Sequence, residues 1–210
     1  MIEKSIEVNS YWGITIKNDY FMQDSDTLIV ILPGYKYTIL APLLYYSLNV
    51  ALESGYDVLA LNYGFHKQDI ELKNEEKEYS ISESKEAILK ALAIKSDYKK
   101  IIFLGKSMGT TVQCKLINDF SNYEQLHIFL TPLPECIETI KNSKGCLVIV
   151  GEDDHAFKQV HLKMIEDSQN IKTKTIERAD HRLETGDYRE SIDILKDVSN
   201  EIHNYINMMI

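Results

Sequence analysis

Ser107 lies at the centre of Gly105-Lys106-Ser107-Met108-Gly109, directly behind the apolar run Ile101-Ile102-Phe103-Leu104. Glycines two positions either side of a serine suit a sharp strand-to-helix turn, because the serine backbone is strained there and larger flanking side chains would strike neighbouring main chain. Such a turn pushes the hydroxyl into the open as a candidate nucleophile. Val112, Leu116, Ile117 and Phe120 follow at helical spacing, so the turn should feed an amphipathic helix whose positive N-terminal end lies under Ser107. A serine hydroxyl is a weak nucleophile that an adjacent base can activate by taking its proton, and that base is commonly oriented by a third group. Histidines and carboxylates elsewhere in the chain therefore matter next.

The elements that must position such groups alternate along the chain. Short runs rich in β-branched and aromatic residues at 27–32, 56–61, 100–104, 126–130, 145–150 and 171–177 read as strands buried on both faces. Helical patterns fill 41–53, 81–95, 108–120, 134–141, 156–168 and 188–208, the last marked by Ile192, Leu195, Ile202 and Ile206. Residues 6–8 and 12–16 suit one or two antiparallel strands at an edge. Strand-helix alternation of this kind predicts a mainly parallel, twisted sheet with helices on both faces, and 210 residues fit one domain, 1–210.

In an open parallel sheet, chemistry collects beyond the carboxyl ends of the strands. The segments there are Pro33-Gly34-Tyr35-Lys36-Tyr37, Asn62-Tyr63-Gly64-Phe65-His66, the Ser107 turn, Thr131-Pro132-Leu133-Pro134, Gly151-Glu152-Asp153-Asp154-His155 and Ala179-Asp180-His181-Arg182-Leu183. A serine, an acid and a histidine thus occur on separate loops of one sheet edge, in that chain order. Of the six histidines, His127 falls in a strand and His161 and His203 in helices, where packing or solvation explains them. His155 is adjacent to the acids and badly placed to swing over Ser107, while His66 follows a strand and could face the pocket. His181 follows the last strand, where a loop can return over the turn. Asp153 and Asp154 also suit the cap of a following helix.

Bulk properties narrow the classes. A net charge of −9 opposes polyanions, so nucleic acid is not expected as a partner, and the acidic residues of 71–78 read as a solvated loop and helix start. The start of the chain lacks a basic stretch followed by an apolar one, and no apolar run is long enough to span a bilayer, which leads to the expectation of a cytoplasmic protein without membrane contact. Cys114, Cys136 and Cys146 are odd in number and lack Cys-x-x-Cys spacing, so reduced thiols are expected and neither a disulfide nor a metal centre. Gly-Lys-Ser also ends a phosphate-binding P-loop, but Lys100 occupies the position where that loop needs its first glycine.

With Gly-x-Ser-x-Gly first and acid and histidine following, the chain resembles the α/β-hydrolase superfamily from residue 27 to the final helix. Gly151-Glu152-Asp153-Asp154 is similar to that superfamily's Gly-x-x-Asp, and Asp180-His181-Arg182-Leu183 to the histidine loop of its small, dienelactone-hydrolase-like esterases. The resemblance implies Ser107 as nucleophile, His181 as general base and acid, and Asp154 as the acid that orients the imidazole, with the neighbouring Asp153 as the rival for that role. It further implies an oxyanion hole made of the Tyr35 and Met108 N–H groups, hydrolysis of a small ester-like substrate, and no metal or organic cofactor. Pro33-Gly34 replaces the more usual His-Gly, and no proline follows the Asp154 loop. Only residues 131–144 stand where relatives often insert a lid, so no cap domain is expected and the site should be open, with Tyr37, Phe65 and Leu133 as pocket candidates beside Tyr35 and Met108. Each of those aromatic residues could equally be core. Two other readings compete: a catalytically silent binding or regulatory module, and a phosphate binder using Lys106 and the helix behind Ser107. Oligomeric state has no signature in the sequence.

Overall fold

The computed structural model of the chain describes residues 1–68, 70–166 and 170–208. Eight strands form one sheet: β1 (Ile2–Asn9), β2 (Thr15–Met22), β3 (Thr27–Leu32), β4 (Asp57–Ala60), β5 (Lys100–Lys106), β6 (Glu124–Leu130), β7 (Cys146–Gly151) and β8 (Ile171–Ile176), in the spatial order β1-β2-β4-β3-β5-β6-β7-β8. The β1–β2 hairpin is antiparallel and β2 runs antiparallel to β4, whereas every pair from β4 to β8 is parallel. The helices are α1 (Pro42–Glu53), α2 (Gly64–Gln68), α3 (Lys77–Ile94), α4 (Met108–Leu116), α5 (Ile137–Asn142), α6 (Gln159–Lys163) and α7 (Tyr188–Met208).

The central strands carry long apolar runs because both faces are covered. Ile29, Ile31, Ile102, Leu104, Ile128 and Ile149 meet Leu43 and Leu44 of α1 and Val198, Ile202 and Ile206 of α7. The alternate residues Leu28, Val30, Leu32, Ile101 and Phe103 point the other way, onto Ala87, Ile88 and Ala91 of α3 and Val112 and Leu116 of α4. Period-two alternation in a strand thus feeds two helix layers, and the parallel pairing delivers every strand end from β3 to β8 to one rim.

Several predicted boundaries move for identifiable reasons. The edge strands are longer than 6–8 and 12–16, since β2 continues to Met22 by turning Ile16, Asn18 and Tyr20 inward. Asn18 disguises that pattern: it is 2 % exposed, and its side chain donates to the Ile6 carbonyl and accepts the Asn62 N–H. The helix expected over 156–168 is only α6, because the N–H groups of Ala156 and Phe157 are taken by the Asp154 carboxylate; residues 167 and 168 of that expectation lie outside the described residues. The helix expected over 108–120 becomes α4 followed by a tighter turn at Ile117–Phe120, and the one expected over 134–141 opens as such a turn at Pro134–Cys136 before α5.

Candidate active site

Ser107 joins β5 to α4 with φ 51° and ψ −117°, a conformation that an L-residue adopts only at a cost of about 1–3 kcal/mol. Its surroundings hold it there. The Ser107 N–H donates to the Leu130 carbonyl at 3.0 Å, and the Ser107 carbonyl accepts both the N–H (2.8 Å) and the hydroxyl (2.6 Å) of Thr110. A Cβ on Gly105 would lie 2.6 Å from Gln113 Oε1 and 2.9 Å from the Gly109 carbonyl carbon, and one on Gly109 would overlap the Leu32 carbonyl at the end of β3. The flanking glycines therefore let β3, the turn and α4 pass in contact. Gly109→Ala should destabilise the protein by about 1–3 kcal/mol, the usual range for overpacking, read as a lower urea midpoint with an unchanged m-value.

His181 arrives from the loop between β8 and α7 and Asp154 from the loop after β7. The two loops are laced together: Glu152 N–H donates to the Ile176 carbonyl, Asp153 N–H to the Ala179 carbonyl, and a Cβ on Gly151 would strike the Ala179 and Asp180 carbonyls. Asp180 shapes the histidine loop by accepting the Arg182 and Glu184 N–H groups on one carboxylate oxygen. The outcome is a chain of short contacts. His181 Nδ1 is 2.9 and 2.8 Å from the two oxygens of Asp154, and His181 Nε2 is 2.8 Å from Ser107 Oγ. With Nδ1–H donated to Asp154, Nε2 carries the free lone pair and accepts the serine hydroxyl.

Asp154 is 3 % exposed. Burial works to raise its carboxyl pKa, but the hydrogen bond and charge of His181, with the N–H groups of Phe157 and Ala156, outweigh burial and hold it below the ordinary carboxylate value. Asp153 is exposed, and Asp154 alone of the two meets the imidazole. His155 is also exposed, its ring centroid 5.2 Å from that of His181.

The loop after β3 presses on the turn: a Cβ on Gly34 would lie 3.3 Å from the Lys106 carbonyl oxygen and 3.5 Å from Ser107 Cβ. Gly34 N–H donates to the Tyr37 carbonyl, closing a tight bend that carries Tyr35. Met108 is the first residue of α4, where N–H groups have no intrahelical partner.

Other sequence-predicted positions take different roles. Phe65 is 2 % exposed and stacks on Tyr35 (5.8 Å) and Tyr63 (5.5 Å), with Trp12 edge-on at 5.7 Å, so it is a core residue under the Tyr35 loop and not a pocket wall. His66 does not face a pocket: its Nε2 lies 2.6 Å from the Tyr35 carbonyl, and burial lowers its pKa, so the neutral ring donates there and props the loop. Tyr37 is half-buried, accepts the Leu43 N–H at 3.0 Å and borders a cavity of about 370 Å³ with Leu43, Leu183, Tyr188 and Ile192. Leu133 is half-buried beside Thr110, and Met108 is buried in the core under α4. Lys106 is 1 % exposed and bonded to Thr131 and the His181 carbonyl, so it is not presented to a phosphate at the start of α4. Lys106, Thr110 and Thr131 carry no sequence signal beyond their adjacency to Ser107 and to the end of β6.

Several solved structures that share this fold are described as esterases or hydrolases. Esterase Pf2001 of Pyrococcus furiosus superposes with a TM-score of 0.73 at 16% identity, covering 99% of this chain and 92% of its own. XC6422 of Xanthomonas campestris, described as an α/β serine hydrolase without a lid, gives 0.67 at 11% identity over 97% and 94%. Est1E of Butyrivibrio proteoclasticus, solved with ferulic acid bound, gives 0.69 at 14% identity over 98% of each chain. The chain has the α/β-hydrolase fold. No family sequence model matches it, and no curated protein matches it in sequence.

Within this α/β-hydrolase fold, residues between β6 and β7 form only the turn at Pro134–Cys136 and α5, and among the described residues no cap domain rises over the strand ends. Among the described residues, no helix is long and apolar enough to cross a membrane, and no group of three or more His, Cys, Asp or Glu side chains is placed to hold a metal ion.

Proposed function

We propose that this chain is a serine hydrolase that cleaves a small ester-type acyl substrate through an acyl-enzyme. The observation that carries the proposal is His181 bonded on one side to Asp154 and on the other to Ser107 Oγ. Ser107 Oγ attacks the carbonyl carbon while His181 Nε2 takes its proton, and the buried Asp154 carboxylate stabilises the imidazolium so formed. The negative oxygen of the tetrahedral intermediate is held by the N–H groups of Met108 and Tyr35, where losing one donor typically costs about 3–4 kcal/mol. His181 then returns its proton to the departing alkoxide. A water, deprotonated by the same nitrogen, releases the acid and restores Ser107.

No step requires a metal or an organic cofactor. The esterase and serine-hydrolase descriptions of the structural neighbours favour a small-molecule ester over a macromolecular substrate. The open strand ends suit a substrate with a short acyl group, and Tyr37 and Leu133 are the pocket candidates that remain once Phe65 is assigned to the core.

Purified protein treated with a fluorophosphonate probe at pH 8 should carry the label on the peptide containing Ser107. Absence of label on folded protein would favour a catalytically silent binding module instead.

A further inference from the structure

Lys106 immediately precedes the proposed nucleophile, yet its side chain runs into the protein. Its ammonium donates to Thr131 Oγ1 at 2.5 Å and to the main-chain carbonyl of His181 at 2.8 Å, and lies 5.2 Å from the centroid of the Tyr37 ring. One buried cation therefore touches segments that follow β3, β6 and β8 while itself ending β5. Thr131 holds φ 42°, which is an outlier for a β-branched residue. Strain of that kind persists where neighbours over-determine it, and here the Thr131 N–H is fixed to the Ile149 carbonyl at 2.7 Å while its hydroxyl meets the lysine.

A methionine would fill the same space without a desolvation penalty, so packing does not explain a lysine that is 1 % exposed. What the lysine adds is a charged donor on the carbonyl of the very residue whose ring must bridge Asp154 and Ser107. Resting on the hydrolase reading above, we propose that Lys106 is a positioning residue whose ammonium pins the His181 main chain, so that the imidazole is aligned before substrate arrives.

The charges facing Lys106 come from two loops, the one after β7 and the one between β8 and α7. Asp154, Asp180 and Glu184 favour its charged form and Arg182 opposes it, but burial dominates and pushes the ammonium down to about 8. The Tyr37 hydroxyl, its own pKa raised by burial, adds no charge. The sign follows directly: the ammonium is charged below about pH 8, and above it a neutral amine is left with weaker hydrogen bonds, so alignment loosens as pH rises.

The test compares the parent, Lys106→Met and Thr131→Val on a p-nitrophenyl ester across pH, together with the ring N–H resonance of His181 in ¹⁵N-histidine-labelled protein. In the parent, kcat should fall on an alkaline limb near pH 8. Lys106→Met should lower kcat on the order of 100-fold with little change in KM, the scale of a misaligned catalytic group, and should lack that limb. Thr131→Val removes one acceptor from the ammonium and should move the limb to lower pH. The His181 Nδ1–H signal, sharp in the parent, should broaden in Lys106→Met while the other histidine signals hold. A parent without the limb, a Thr131→Val limb that does not move, or a folded Lys106→Met with parental kcat and His181 signal would overturn the inference. The resonance needs no turnover: unlabelled Ser107 with a Lys106-dependent His181 signal would sink hydrolysis but not the clamp, and labelled Ser107 with an indifferent signal would do the reverse.

Discussion

Ser107→Ala is expected to lose ester hydrolysis by on the order of 10⁶ in kcat while keeping the fold of the parent. The substitution removes only Oγ, which accepts no structural role beyond its bond with His181 Nε2. The main-chain bonds from Leu130 and Thr110 that hold the turn are unaffected. His181→Ala should lose about as much, and the double variant hardly more, because a nucleophile without its base and a base without its nucleophile are equally idle. Steady-state assay of the three variants, with circular dichroism to show that each is folded, checks this. Substantial hydrolysis by the Ser107→Ala protein would mean that another group attacks.

Asp154→Asn should lower kcat on the order of 10⁴ while Asp153→Asn stays near the parent. The asymmetry is geometric. Asp154 accepts the imidazole N–H and the N–H groups of Ala156 and Phe157 from a buried position, so an amide there would offer a donor to a donor and turn the ring into the wrong tautomer. Asp153 is exposed and contributes its own N–H, which the asparagine retains. Because the folded-state carboxyl of Asp154 is held below its usual value, its contribution to stability is complete above the ordinary carboxylate range and fades as pH falls below it. Acid unfolding of Asp154→Asn should accordingly depend less steeply on pH. Loss of activity in Asp153→Asn with Asp154→Asn unharmed would reverse the assignment.

The legible parts of the sequence are those where one physical demand decides the residue type. β3, β5 and β7 are buried on both faces, so their apolar runs announce them, and the two glycines around Ser107 are dictated by main chain that passes too close for any Cβ. Ser107, an aspartate after β7 and His181 could be placed on one rim because a parallel sheet sends its strand ends there. Less legible are features in which a polar group does the work of an apolar one or bonds across the fold. Asn18 breaks the alternation of β2 while being as buried as its neighbours. Asp154 captures the N–H groups that a longer helix at 156–168 would have used. His66 looks like a second base until its bond to the Tyr35 carbonyl is seen, and Phe65 like a pocket wall until its stacking partners are. Nothing in Gly-Lys-Ser-Met-Gly tells that the lysine side chain ends on the carbonyl of a residue 75 positions away.

Trp12 is the chain's sole tryptophan, and it leans edge-on against Phe65, which in turn stacks on Tyr35. An intrinsic fluorophore is thus coupled by ring contacts to the segment that would cradle a reacting oxygen. Emission excited selectively at the indole can follow occupancy of that segment in real time, in the unlabelled protein, with no competing signal from a second indole.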